Sequence, residues 1–218
     1  METNMSTVVL TPTHIASDHA FLEKTYPHQR TVDLNHPKIF IHPKKIYLIG
    51  VVGAYLPDRV DSIETWDVMG TLFTFILSTV ISDGLQGGHI AFDQPDIVAT
   101  FTDVFEPGAH VFLVTKDYRF VLKYKTDRKC VIAKKVGPYA GIGSGGMYAA
   151  GLAMNTKNVA DIFKPLHQLD HLTSEEHTVI ALSQLTGGTG ITKEITALVE
   201  RHKKGNKEQP AAAKKGKK

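Results

Sequence analysis

The sequence predicts an α+β domain in which two central sheets are flanked by helices, and the order of its elements carries that prediction. Short β-rich runs open the chain, a long stretch of helical spacing follows, and then come three extended runs and a set of helical segments. A doubly wound parallel sheet would instead alternate strand and helix strictly. At 218 residues, 42% hydrophobic and 22% charged, the chain is long enough for one substantial domain with a self-sufficient core.

Each element has a local reason. Residues 1–6 are polar. Thr7-Val8-Val9-Leu10-Thr11 and His14-Ile15-Ala16-Ser17-Asp18 lie on either side of Pro12-Thr13, which predicts a hairpin. Residues 19–37, with their His, Pro and Asn, read as a loop. Lys38 to Pro43 and Ile46 to Gly53 read as strands, the second apolar throughout, as a strand covered on both faces is. Val60, Ile63, Met69, Leu72, Phe73, Ile76, Leu77 and Val80 recur at helical spacing, predicting a helix over 60–81 that Asp83-Gly84 ends. A short helix fits 97–105 ahead of Pro107-Gly108. Strands are predicted over 110–115, 119–125 and 129–136, then a glycine-rich turn, Gly141 to Gly146, leading into a helix over 147–154. Thr173 and Glu176 have the spacing of a capping box, which predicts a helix from Thr173 to Leu185. After Gly187-Gly188-Thr189-Gly190, helical spacing returns over 192–202. No internal repeat is present.

Charge is unevenly distributed. Residues 201–218 hold seven Lys, one Arg and one Glu, a net +7 against +3 for the whole chain, so the first 200 residues carry −4. The stretch GNKEQPAAAKKGKK has no apolar periodicity and reads as a disordered tail following a domain over 1–200. A solubilising role is preferred for it over a tether to nucleic acid. Met1 to Leu10 has neither a basic nor an apolar leader region, and the stretch around Gly70 to Ile81 is too short and too polar to span a bilayer. The expectation is a cytoplasmic protein with no membrane partner. Cys130, the single cysteine, excludes an internal disulfide framework and reads as a half-buried strand residue. Eleven His are scattered; His167 and His171 share a helical spacing but lack a third ligand, so no metal is expected. Gly141 to Gly146 lacks the Gly-Lys-Ser/Thr ending of a phosphate loop, and no cofactor is expected.

Three segments, in common order and spacing, carry a resemblance. Ser6-Thr7-Val8-Val9 returns through the hairpin to Ala16-Ser17-Asp18. Lys38 stands twelve residues before Gly50-Val51-Val52-Gly53-Ala54. Gly141-Ile142-Gly143-Ser144-Gly145-Gly146-Met147-Tyr148-Ala149 opens a helix. Together these resemble the proteasome β-subunit family and its bacterial relative HslV. The resemblance implies a four-layer αββα sandwich of mainly antiparallel sheets, an N-terminal-nucleophile hydrolase fold. It also implies a peptidase acting on peptides or unfolded proteins, assembled as a homo-oligomeric ring, with an ATPase unfoldase among its partners.

The chemistry of that family gives each residue type a role. A hydroxyl at the mature N-terminus is activated by its own α-amine, whose pKa of about 8 suits a base at neutral pH. A neighbouring lysine lowers the pKa values of amine and hydroxyl, and a carboxylate holds the lysine. On the resemblance Lys38 is that lysine, Asp18 its partner, Gly53 the donor of a backbone N–H to the oxyanion, and Ser144 a helper in proton transfer. The nucleophile is Ser6 or Thr7. Met5-Ser6 resembles an initiator methionine before a small residue, whereas a turn centred on Pro12-Thr13 puts Asp18 opposite Thr7. No Gly precedes either residue. Ser183-Gln184-Leu185-Thr186-Gly187-Gly188 resembles the family's D-x-x-S-G-G with Ser183 in place of the aspartate. A catalytically silent structural subunit of the same fold is the alternative.

Overall fold

The hairpin predicted around Pro12-Thr13 forms, and its alternating side chains feed two separate cores. The computed structural model describes residues 6–25, 29–33, 37–53, 57–60, 62–83, 89–170 and 172–186. In chain order the elements are β1 (Thr7–Leu10), β2 (His14–Asp18), β3 (Phe21–Thr25), β4 (Gln29–Asp33), β5 (Ile39–Ile41), β6 (Leu48–Val52), α1 (Pro57–Val60), α2 (Ile63–Asp83) and β7 (His89–Phe92). They continue with α3 (Pro95–Val104), β8 (His110–Val114), β9 (Arg119–Lys125), β10 (Cys130–Lys135), β11 (Ala140–Gly143), α4 (Gly146–Asn155), α5 (Phe163–Leu169) and β12 (His177–Ala181).

Two antiparallel sheets result. The smaller has the order β11-β1-β2-β12 and the larger β5-β6-β8-β9-β10-β7, while β3 and β4 pair with each other. Successive strand residues point to opposite faces, so each strand contributes to two layers. Val8, Leu10 and Ile15 of the smaller sheet meet Leu48, Val52, Phe112 and Val114 of the larger one between the sheets. Val9 and Ala16 turn the other way, onto Ala149 and Ala153 of α4 and Phe163 and Leu166 of α5. On the far face of the larger sheet, Ile49, Val51, Val111 and Leu113 pack with Met69, Leu72, Phe73 and Ile76 of α2 and Phe101 and Val104 of α3. The layers therefore run helix, sheet, sheet, helix, which is the αββα sandwich. No helix among the described residues is long and apolar enough to cross a membrane.

Where the structure departs from the sequence reading, the reason is local. Residues 19–37 are not simply a loop, because β3 and β4 pair from Phe21↔Asp33 to Thr25↔Gln29; their pairing is a cross-strand property that the composition of the stretch does not report. The helix expected over 173–185 is instead strand β12 followed by a 3-10 turn at Leu182–Gln184. Thr178-Val179-Ile180 is a β-branched run, and all five residues of β12 pair with β2. Tertiary pairing overrides the capping-box signal there. The helix over 60–81 is shifted to Ile63–Asp83, after the separate turn α1, and the elements β7 and α5 were not predicted. Cys130 is buried at the start of β10. The segment 192–202 and the tail lie outside the described residues.

The two sheets come close together at Gly50. A methyl group there would stand 3.0 Å from both Ile15 Cδ1 and Val8 Cγ1, two fully buried side chains of the opposite sheet. Overpacking a core at this scale costs about 1–3 kcal/mol. Gly50→Ala is therefore expected to lower stability by about that much in urea unfolding, and the added substitution Ile15→Val to recover part of it.

Candidate active site

Asp18 is the last residue of β2, and three backbone segments converge on its carboxylate. Thr7, at the start of β1, donates its N–H to Oδ1 at 2.7 Å. Ala20 and Ser174 donate theirs to Oδ2 at 3.2 and 3.1 Å. The register that pairs Val8 with Ser17 and His177 with Asp18 brings these strand ends together. The larger sheet supplies the fourth donor. Lys38 precedes β5, its carbonyl accepts the Val51 N–H at 2.8 Å, and its Nζ donates to Asp18 Oδ1 at 2.5 Å. Both side chains have no solvent exposure.

A buried ion pair is held by its hydrogen bonds as much as by its charges, because desolvation offsets most of the Coulombic gain. Here the carboxylate has four donors. Burial pushes the Lys38 ammonium below the ordinary lysine range, while the charge and hydrogen bond of Asp18 oppose that shift. Lys38 is thus a cation whose proton is easier to remove than that of a surface lysine.

The glycine-rich turn closes the site from the other side. β11 pairs with β1, Thr7 opposite Gly143. Gly143 has φ +94°, and a Cβ there would collide with the Ser6 carbonyl, so only glycine lets the two backbones meet. Ser144 N–H donates to that same Ser6 carbonyl at 3.1 Å. The Ser144 hydroxyl is buried and has no hydrogen-bond partner among the described residues. Gly145 N–H donates to Thr7 Oγ1 at 3.1 Å.

Thr7 Oγ1 also lies 2.8 Å from Thr173 Oγ1, which donates to Asp170 Oδ2 at 2.9 Å. A hydroxyl has one proton to give. Since that of Thr173 goes to Asp170, Thr7 is the donor to Thr173 and the acceptor from Gly145. Thr7, Thr173 and Asp170 are all buried. The sequence reading did not assign Asp170 to the site and took Thr173 as a helix cap. The signal was Asp170-His171-Leu172-Thr173, a carboxylate and a hydroxyl three residues apart, thirteen residues ahead of the segment to which that pattern was assigned. Ser183 itself is exposed in the 3-10 turn after β12. His167, considered as a metal ligand, is 2.5 Å from the Thr173 carbonyl through Nδ1, and no group able to hold a metal ion is present among the described residues.

The structure therefore links Thr7, Asp18 and Lys38 directly, and Ser6 to Ser144 through the backbone. Gly53, with φ +96°, follows β6 two residues after Val51, which is bonded to Lys38. No family model matches the chain, and no curated sequence does. Among solved structures it is similar to the eukaryotic HslV of Trypanosoma brucei, at 11% identity and a TM-score of 0.49, over 80% of this chain and 98% of that one. It is also similar to BPH of Thiobacillus denitrificans, solved in complex with epoxomicin, at 13% identity and a TM-score of 0.42, over 81% and 98%.

Removing one partner of a buried pair leaves the other uncompensated and costs about 3–5 kcal/mol. Asp18→Ala, which strands Lys38 and three N–H groups, is expected to fall in that range in denaturant unfolding. Lys38→Met should cost less, because Asp18 keeps its three backbone donors and the apolar stem is preserved.

Proposed function

We propose that this chain is an N-terminal-nucleophile peptidase in which Ser6 becomes the nucleophile once residues 1–5 are removed. The observation that carries this reading is the bond from Thr7 N–H to Asp18. A residue whose amide is engaged there serves best as the second of the mature chain, still in peptide linkage. The Thr7 hydroxyl is also committed to Thr173 and Gly145. Strand alternation puts Ser6 on the face of Val8 and Leu10, toward the space between the sheets, where Lys38 enters from the larger sheet.

In this mechanism the Ser6 α-amine takes the hydroxyl proton as Oγ attacks the scissile carbonyl. The Gly53 N–H receives the oxyanion, and the amine returns the proton to the departing amino group. Water then attacks the ester, with the same amine as base, and regenerates Ser6. Lys38 lowers the amine and hydroxyl pKa values by its charge, Asp18 holds Lys38 in place, and the Ser144 hydroxyl, without a partner among the described residues, is available to the amine. The motif resemblance supports a peptide or unfolded-protein substrate, a cytoplasmic ring of identical copies and an ATPase feeding it.

Turnover of small fluorogenic peptides tests this reading on protein that begins at Ser6. Ser6→Ala and Lys38→Ala should each reduce kcat/KM by at least about 100-fold, the scale of a lost base or nucleophile. Thr7→Ala, which keeps the amide N–H on Asp18, should retain more activity. The pH profile should be bell-shaped. It rises as the α-amine loses its proton and falls as Lys38 loses its own, at a pH below the ordinary lysine range because burial lowers that pKa. Hydrolysis that survives Ser6→Ala unchanged would overturn the assignment.

A further inference from the structure

The face of the larger sheet that meets the smaller one continues beyond its apolar cluster. Phe112 and Val114 of β8 and Val121 of β9 pack between the sheets. The same alternation puts His110 of β8 and Lys123 and Lys125 of β9 on that face. His110 is the cross-strand partner of Val52 on one side and of Lys123 on the other. Val52 immediately precedes Gly53, so this basic row starts beside the proposed oxyanion donor.

A cavity of about 430 Å³ opens at this point, lined by Gly108 to His110 and by Lys123 to Asp127. That volume falls within the range of small-ligand sites, about 300–1,000 Å³. Its charge is lopsided. Among the described residues, neither Lys123 nor Lys125 forms an ion pair. Asp127, the one carboxylate of the lining, has a side chain 73% exposed and lies 3.9 Å from Arg128 Nε. The fields of both lysines reach the half-buried His110, whose pKa is lowered by burial first and then by Lys123 and Lys125. An anionic group entering here would meet two ammonium groups with no buried carboxylate competing for them.

We propose that this cavity is a substrate subsite for a carboxylate side chain, so that the site selects peptides carrying Asp or Glu near the cleaved bond. The inference rests on the peptidase reading and supplies its substrate class. Adjacent strands are about 4.8 Å apart, which puts β9 about 10 Å from β6, and an extended peptide advances about 3.3 Å per residue. The selected acid therefore lies within about three residues of the scissile carbonyl.

Binding and cleavage are measured side by side. A fluorescein-labelled hexapeptide with Glu at its third position, and a twin with Lys there, are titrated by anisotropy into the full chain. The same titrations use Lys123→Met/Lys125→Met, which keeps the aliphatic stems, and Lys123→Glu/Lys125→Glu. The wild type is expected to bind the Glu peptide at least about tenfold more tightly, as one charge-assisted hydrogen bond warrants. The Met variant should lose the preference and the Glu variant reverse it. Equal binding of the two peptides by the wild type, or a preference that survives in the folded Met variant, overturns the subsite. Acid-selective binding that follows the lysines without any hydrolysis leaves the subsite standing and removes the peptidase. Hydrolysis with no acidic preference does the opposite.

Discussion

The buried pair of Asp18 and Lys38 is the interaction on which the rest of the site depends. Asp18 belongs to the smaller sheet and Lys38 to the approach to the larger one, so their 2.5 Å contact joins the two sheets at the end where the chain begins. The Lys38 ammonium would not be tolerated there alone. The carboxylate is made acceptable by three backbone N–H groups, and those groups come from strand ends and turns that the sheet register brings together. The fold thus builds the ion pair, and the ion pair in turn fixes where β1 starts.

From that starting point, strand alternation separates two adjacent hydroxyl residues. Thr7 shares a face with Val9, toward the helical layer, and its hydroxyl is absorbed by Gly145, Thr173 and Asp170. Continued one residue back, the same alternation assigns Ser6 to the face of Val8 and Leu10, which pack between the sheets. One-residue precision matters here, because a slip of one position would exchange the two hydroxyls between the faces. The glycines of the turn hold that register. Gly143 admits the Ser6 carbonyl, and a Cβ on Gly145 would stand 2.5 Å from Thr7 Oγ1.

Much of this was legible in the sequence, for physical reasons that differ by element. The hairpin, the strands 110–136 and the long helix follow from periodicity and turn residues, which are local properties. Asp18, Lys38 and Ser144 stood out only through motif order, and the structure does bring Asp18 and Lys38 into contact. The choice between Ser6 and Thr7 was not legible, since it depends on which face of β1 meets the helices. Asp170 and Thr173 were hidden for a related reason. The Thr173 hydroxyl, 166 positions from Thr7 along the chain, could be read locally as a helix cap, and only long-range pairing of β12 with β2 revealed its partner. His110, Lys123 and Lys125 are likewise ordinary strand residues until the register sets them in a row.

In the proposed mechanism a free amine on Ser6 is the base, and the intact mass of the native protein, taken on the same sample that hydrolyses peptide, tests this directly. The active species is expected to lack residues 1–5 and to begin at Ser6. Peptide hydrolysis by a chain that retains Met1 to Met5 would contradict it, because the nitrogen invoked as the base would then be locked in a peptide bond.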